Sequence, residues 1–206
     1  MSCLHDDHAA VAIAYSGEYA DRAPASLAAV CAVSPIIEIS QCVRALEKPG
    51  NVLYQWNFVR DLKSRMRRKD RWWPGRFDMQ LLKTIRTVRQ FDDAYTAPHF
   101  GFKNAQDYYH RASAMRIIDR IRVPALILTA EDDPFVPSRP FHDPKVAGNS
   151  RITVVVSDHG GHCGFVGPAA GEDDGYWAER QIVDFVEARM NSAATEDTEE
   201  KTEATV

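Results

Sequence analysis

The 206-residue sequence lacks the features that mark membrane-spanning, secreted and metal-dependent proteins. It contains no run of about 18 apolar residues, so we expect no transmembrane helix. Its first residues include no positively charged segment, so they do not predict a signal peptide. Its four cysteines, Cys3, Cys31, Cys42 and Cys163, lack the spacing of metal ligands, and we interpret them as free thiols in a reducing cytoplasm. We therefore expect a cytoplasmic protein that uses no metal and no cofactor.

A large excess of positive or negative charge is also absent. The formal net charge is −4, and residues 191–206 account for it, because they carry five acidic residues and one lysine. The remainder of the chain is near neutral, which argues against a general nucleic-acid-binding protein. Residues 191–206 are too polar to pack against a core, and we predict that they form a disordered acidic tail.

Positive charge is concentrated in one stretch. Residues 60–71 hold seven Lys or Arg and are followed by Trp72 and Trp73. Such a pairing is typical of a solvated helix end, where cations also suit the helix dipole. The alternatives are binding to a phosphate backbone and peripheral contact with an anionic membrane surface. Asp61 and Asp70 dilute the charge and favour the first interpretation.

Short apolar runs alternate with longer segments of helical periodicity. The predicted strands are residues 27–33, 124–130 and 151–157, and the predicted helices at the two ends are residues 9–16 and 176–190. Strands that alternate with helices indicate a parallel sheet covered on both faces. The predicted fold class is therefore α/β, with about three parallel strands.

Residues 36–120 are predicted to be mainly helical and irregular. The apolar residues Val52, Trp56, Val59, Leu62 and Met66 fall on one face of a first helix. A second helix covers residues 81–88, with Asp78 as its cap, and a third begins at Asn104.

An acidic residue and a histidine each follow the end of a predicted strand. Asp133 lies in the turn after residues 124–130, and His162 lies in the glycine-rich loop after residues 151–157, 29 residues further on. Reactive groups collect at the carboxyl ends of strands in open α/β sheets. An aspartate that orients a histidine, which in turn activates a nucleophile, is the arrangement of acyl transfer.

Other roles for the same loops are weaker. His159 is interpreted as a structural residue that forms hydrogen bonds within its loop. Asp158, His159 and His162 could be imagined as metal ligands, but a glycine-rich loop lacks helical presentation and a clear third ligand. Asp132 competes with Asp133 for the acidic role, and spacing alone leaves both open.

Several linked motifs carry a family resemblance. They are Phe91-Asp-Asp-Ala-Tyr-Thr-Ala-Pro-His-Phe-Gly-Phe102, Tyr108-Tyr109, Ala112-Ser113, Asp132-Asp-Pro-Phe-Val-Pro137 and His159-Gly-Gly-His-Cys-Gly-Phe165. In this order and spacing they resemble the YheT-like α/β-hydrolases, from about Gly17 to about Met190. The resemblance implies an α/β-hydrolase fold with a helical insertion, here residues 36–120, and serine esterase or lipase activity on acyl esters. It also implies that Asp133 is the triad acid and His162 the triad base, because Asp133 precedes Pro-Phe-Val-Pro.

The nucleophile of this family is a serine in a G-x-S-x-G elbow before a buried helix. That helix is predicted at residues 9–16, so the elbow is expected near residues 4–9, which contain neither serine nor glycine. Asp6 stands about where the serine is expected, and we interpret it as a helix cap. Ser2 and Cys3 are poor substitutes, because nothing places them on a strained turn after a strand.

These observations predict that residues 1–190 are the C-terminal part of an α/β-hydrolase domain and that this chain alone is inactive. Strand 27–33 would keep an unpaired edge, so we expect marginal stability, self-association or a complementary N-terminal half. The expected small-molecule partner is an ester with an apolar acyl chain. The alternative is a non-catalytic pseudo-enzyme or interaction protein that uses the exposed sheet edge and the basic helix.

Overall fold

The computed structural model describes the backbone of residues 8–168 and 174–203, and the side chains as far as Asn191. Three strands form a parallel sheet in the order β1 (Val30–Val33), β2 (Ala125–Ala130) and β3 (Ile152–Ser157). Val30 is aligned with Ala125, which is in turn aligned with Ile152. The sheet confirms the predicted parallel α/β architecture, and all three carboxyl ends lie at one edge.

The central strand explains the apolar run that predicted it. All six residues of β2 are buried, as expected for a parallel strand with a neighbour on each side and helices on both faces. The first strand is shorter than predicted, because the chain turns before it, with the amide of Leu27 donating to the carbonyl of Pro24 at 2.8 Å. Within the described residues β1 pairs only with β2.

Helix α1 (His8–Tyr19) packs against β1 and buries Ile13 and Ser16. The predicted end of this helix at residue 16, just before Gly17, is wrong. A Cβ atom at Gly17 would lie 2.6 Å from the carbonyl oxygen of Ile117. Gly17 therefore allows a close approach inside the core, and the helix continues for two more residues.

The connection from β1 to β2 holds most of the short helices. They are α2 (Ile39–Leu46), α3 (Val52–Trp72), α4 (Leu81–Thr84), α5 (Val88–Phe91), α6 (Ala97–His99) and α7 (Ala105–Ala112), with a π-helical turn at Asp92–Thr96. Short 3₁₀ turns lie at Ala20–Arg22, Pro49–Asn51, Ala114–Arg116, Ile118–Arg120 and Arg139–His142. Asn104 caps α7 as predicted, by accepting a hydrogen bond from the amide of Asp107.

The single helix predicted at residues 81–88 is instead two helices. Ile85 has an extended backbone, and Thr87 opens a new capping box with Gln90 before α5. The residue at the N-cap position of α4 is Gln80 and not the predicted Asp78. The Asp78 carboxylate nevertheless accepts from the amides of Gln80 (2.8 Å) and Leu81 (3.4 Å) at the start of the helix. The Thr-x-x-Gln pattern was readable in the sequence, but the apolar periodicity across it obscured the break.

The apolar face predicted for α3 is only partly buried. Val59, Leu62 and Met66 lie in the core. Val52 and Trp56 are 62% and 59% exposed. Periodicity identified the helix, but the neighbouring elements cover only its middle turns.

Helix α8 (Pro144–Ala147) lies between β2 and β3, and helix α9 (Trp177–Glu203) follows β3. Helix α9 begins within a residue of its predicted start and continues past its predicted end at Met190. The division into a hydrolase part and a tail stays a prediction. Across the two described ranges, no helix combines the length and apolar character needed to cross a bilayer.

Candidate active site

The side chain of Asp133 is held by the turn that follows β2. Its Oδ1 atom accepts hydrogen bonds from the backbone amides of Phe135 (3.0 Å) and Val136 (2.9 Å). Pro134 has no amide hydrogen, so the two donors are the next amides available in the chain. The side chain is fully buried. This geometry points the second carboxylate oxygen, Oδ2, away from its own turn.

The imidazole of His162 meets that free oxygen. His162 lies in the loop after β3, and its Nδ1 atom is 2.9 Å from Oδ2 of Asp133. An ionised carboxylate only accepts hydrogen bonds, so the neutral imidazole donates from Nδ1 and keeps a lone pair on Nε2. The His162 side chain remains 35% exposed. The structure therefore brings together the two residues that the sequence singled out, in a geometry that suits a general base.

The aromatic ring of Phe135, a residue not predicted to belong to the site, packs against this pair. The ring of Phe135 lies 4.5 Å from the His162 ring, measured between centroids. Its other neighbours come from α3, where Tyr54 and Phe58 approach it edge-on at 5.4 and 5.7 Å. Phe135 therefore connects the base to α3. The signal was present in the Asp-Pro-Phe-Val-Pro motif, but the contacts are made across the fold.

Asp132 makes a separate, exposed set of contacts. It accepts from the amide of Gly161 at 2.8 Å and lies 3.3 Å from Nδ1 of His159. The hydrogen bond from the Gly161 amide holds the pKa of the Asp132 carboxyl below its ordinary value, and His159 lowers this pKa further. His159, in the loop after β3, therefore contacts the turn after β2, and its side chain is 90% exposed.

Close packing fixes the loop that carries His162. A Cβ atom at Gly160 would lie 2.5 and 2.6 Å from two ring carbons of Phe165. Phe165 is buried and its ring lies 5.9 Å from that of Trp177 at the start of α9. Gly160 is thus required for the loop to pack against a buried ring.

The long motif at residues 91–102 anchors the helical region. It contributes no group to the Asp133–His162 pair, which we call the dyad. Asp92 is fully buried and accepts hydrogen bonds from Thr96 (2.7 Å) and Tyr109 (2.8 Å). Burial raises the pKa of the Tyr109 phenol, and the negative charge of the neighbouring Asp92 raises it further. Asp93 accepts from the amide of Ala105 at 2.7 Å. The motif therefore ties the π-helical turn to α7.

The expected position of the serine elbow, near residues 4–9, lies mostly outside the described residues. Ser34 follows β1 at the same edge of the sheet, and its hydroxyl is buried. The Ser34 hydroxyl also has no hydrogen-bond partner within the described part of the chain, so it is not bonded to Nε2 of His162 as the expected serine would be. Ser2, Cys3 and Asp6 lie outside the described residues. In the described ranges, no group of three His, Cys, Asp or Glu side chains is placed to hold a metal ion.

The sheet and the dyad together define a class of protein. In α/β-hydrolases the triad acid follows one strand and the triad histidine follows a later one. The order Asp133 then His162, at the ends of β2 and β3, matches that arrangement. The structure is therefore part of an α/β-hydrolase fold.

Comparisons with known proteins narrow the class to a family. The chain is 34% identical over 161 residues to YheT of Escherichia coli (strain K12), which is named as a candidate esterase; the match covers 77% of this chain and 46% of YheT. It is 28% identical over 183 residues to the phospholipase ABHD3 of Mus musculus, covering 85% of this chain and 42% of the relative. A monoacylglycerol lipase of Saccharomyces cerevisiae is 44% identical over 84 residues, covering 41% and 18%. No family model matches the sequence.

The chain belongs to the YheT-like family of α/β-hydrolases. It spans less than half the length of these curated relatives.

Proposed function

We propose that this chain supplies the acid and the base of a serine esterase that acts on acyl esters. The observation that carries the proposal is the 2.9 Å contact between Nδ1 of His162 and Oδ2 of the buried Asp133. The nucleophilic serine would come from sequence that precedes α1 in the family. This chain alone is therefore expected to be inactive.

The proposed reaction is acyl transfer. The serine hydroxyl attacks the ester carbonyl while Nε2 of His162 accepts its proton, and backbone amides stabilise the oxyanion. The imidazolium then gives that proton to the departing alcohol, leaving an acyl-enzyme. Water then attacks the acyl group as His162 takes its proton, the bond between the acyl carbon and the serine oxygen breaks, and the imidazolium returns the proton to that oxygen as the carboxylic acid leaves. Asp133 holds the imidazole in the required tautomer and stabilises its charged form throughout.

The proposed substrate is an ester with an apolar acyl chain. The wall next to His162 is aromatic, since Phe135 contacts it and is itself contacted by Tyr54 and Phe58. Such a surface favours burial of hydrocarbon. The names of the relatives, which include a phospholipase and a monoacylglycerol lipase, support an ester with a lipid-like chain.

The test uses a protein in which a segment that supplies the expected serine elbow precedes this chain, called here the completed protein. Hydrolysis of p-nitrophenyl esters is measured for the wild type, His162→Ala and His159→Ala. We expect His162→Ala to lower kcat by at least about a thousandfold. His159→Ala, a histidine in the same loop, should change kcat by less than about threefold, because its ring is outside the dyad. Equal turnover by the His162→Ala variant, with its fold confirmed by circular dichroism, would reject the proposal.

A second candidate function is a non-catalytic interaction protein. The observation that favours it is the edge of β1, which in the described part of the chain pairs on one side only. A stable monomer of 206 residues that binds one partner reproducibly and hydrolyses no ester would support this function. Aggregation of the isolated chain, reversed by an upstream segment, would favour the esterase instead.

A further inference from the structure

A groove runs along α3 on the side away from the dyad. It has a volume of about 500 Å³, which is within the range of small-molecule sites. Its apolar lining is formed by Val52, Trp56, Val59 and Ile85. We call this feature the α3 groove.

The α3 groove is separate from the proposed active site. Tyr54 and Phe58 contact Phe135, so they mark the flank of α3 that faces the dyad. Trp56 lies two residues from each of them, which is a rotation of about 200° around the helix axis. The groove residues therefore lie on the opposite flank of the helix.

Four cations line the α3 groove, and no carboxylate among the described residues does. They are Arg60, Lys63, Arg67 and Arg86. The Arg60 guanidinium lies 5.0 Å from the Trp56 ring centroid and 3.5 Å from the exposed carboxylate of its neighbour, Asp61.

Three of these cations, Lys63, Arg67 and Arg86, form a cluster of like charge, in which the Arg86 guanidinium donates to the carbonyl oxygens of Lys83 (2.6 Å) and Ile85 (3.0 Å). Burial, followed by the charges of Arg86 and Arg67, lowers the pKa of the Lys63 ammonium. Like charges held together in this way repel one another, and a bound anion would remove that repulsion. The α3 groove is thus complementary to a negative charge that is attached to an apolar group.

We propose that the α3 groove binds an anionic amphiphile, a single alkyl chain that carries a carboxylate or phosphate head. The head would lie among Lys63, Arg67 and Arg86, and the chain would lie on the apolar lining. This site is additional to the proposed esterase site and does not depend on it.

Two other occupants fit the geometry less well. Single-stranded nucleic acid binds by stacking successive bases on aromatic side chains, whereas the α3 groove offers one aromatic ring and aliphatic side chains. A flat bilayer needs exposed apolar side chains on one face of the helix. Val52, Leu53 and Trp56 are exposed together at the start of α3. The exposed apolar side chain at the other end of the helix, Trp72, lies about 160° from Trp56 around the axis, so no apolar face follows the helix along its length.

Isothermal titration calorimetry of the full chain with sodium decanoate, below its micelle concentration, tests the proposal. We expect saturable binding that strengthens by up to about fourfold for each methylene that enters the groove, comparing hexanoate, octanoate and decanoate. Decanol has the same chain without the charge, and inorganic phosphate has the charge without the chain. Both should bind much more weakly than decanoate.

Matched variants locate the site. The groove variant combines Lys63→Gln, Arg67→Gln and Arg86→Gln. The control combines Arg68→Gln, Lys69→Gln and Arg71→Gln, which remove the same charge from the same region outside the α3 groove. We expect the groove variant to weaken decanoate binding by about tenfold or more, and the control to change it by less than about twofold. Urea unfolding of each variant confirms that it is folded.

Four results would overturn the proposal. They are no binding of decanoate at millimolar concentration, equal weakening by both charge variants, equal binding of decanol and decanoate, and binding only to vesicles that contain anionic lipid. Loss of decanoate binding in His162→Ala would place the ligand at the dyad and would overturn it as well. Retained binding in His162→Ala, even if the esterase is inactive, would support a separate site.

Discussion

The carboxylate of Asp133 has two roles in the structure, and replacement by alanine or asparagine separates them. Its Oδ1 atom holds the amides of Phe135 and Val136, and its Oδ2 atom holds His162. Alanine removes both sets of contacts. Asparagine keeps an oxygen that can accept from the two amides, but it presents an NH₂ group to the imidazole.

The expected losses of stability follow from the burial of these groups. Asp133→Ala leaves two buried amides without an acceptor, at about 1–3 kcal/mol each, so we expect the free energy of unfolding to fall by about 2–6 kcal/mol. Asp133→Asn should lower it by less than about 1.5 kcal/mol, because the amide contacts remain. Urea unfolding followed by far-UV circular dichroism measures both values.

The adjacent residue provides a control. Asp132→Ala also removes a carboxylate that accepts a backbone amide, but that carboxylate is exposed, so water can replace it. We expect a smaller loss of stability than for Asp133→Ala. If the two alanine variants were equally stable, Asp133 would not anchor the turn and our reasoning would be refuted.

The Asp133→Asn variant tests the role of Asp133 in catalysis separately from its role in stability. Because its NH₂ group can only donate, the neutral His162 ring must accept at Nδ1 and carry its proton on Nε2, where it can no longer act as a base. In the completed protein we expect Asp133→Asn to lose most esterase activity, about 10⁴-fold in a comparable triad, while it stays folded. ¹⁵N chemical shifts of the His162 ring report the tautomer directly.

Two further predictions concern the loop and the helical region. Gly160→Ala forces a Cβ atom against the Phe165 ring and should cost about 1–3 kcal/mol of stability in urea unfolding, whereas Gly167→Ala, which meets nothing within 4 Å, should cost less than about 0.5 kcal/mol; equal costs would contradict the packing argument. The raised pKa of Tyr109 means that above about pH 10 its phenol loses a proton in the unfolded state and keeps it in the folded state. This part of the stability is therefore complete below pH 10 and is lost as the pH rises above it, by up to about 1.4 kcal/mol per pH unit. Tyr109→Phe should be less stable at pH 8, since Asp92 loses a donor, but its stability should decline less steeply between pH 10 and 11; an unchanged slope would contradict the assignment.

The parts of the fold that could be predicted depend on local rules. The strands were readable because buried parallel strands are short apolar runs, and β2 is buried along its whole length. Asp133 and His162 were identifiable because each follows a strand end, and parallel strands bring those ends to one edge. The cap at Asn104 is equally local, since a side chain bonds an amide three residues away.

The parts that could not be predicted depend on contacts between distant segments. Gly17 matches the usual signal for a helix end, but its role is set by Ile117, one hundred residues away in the sequence. Val52 and Trp56 fall on the apolar face of α3, yet no neighbouring element in the described structure buries them. Phe135 looked like part of a turn motif, and its contact with His162 requires the fold.

Phe135 also limits how this protein can change during evolution. Its amide is held by Asp133, its ring rests on His162, and the rings of Tyr54 and Phe58 close on its edges. A substitution there would alter the environment of the base and the seating of α3 in one mutational step. New substrate preferences should therefore be reached more easily through changes in the helices of the connection from β1 to β2 than through changes at this shared contact.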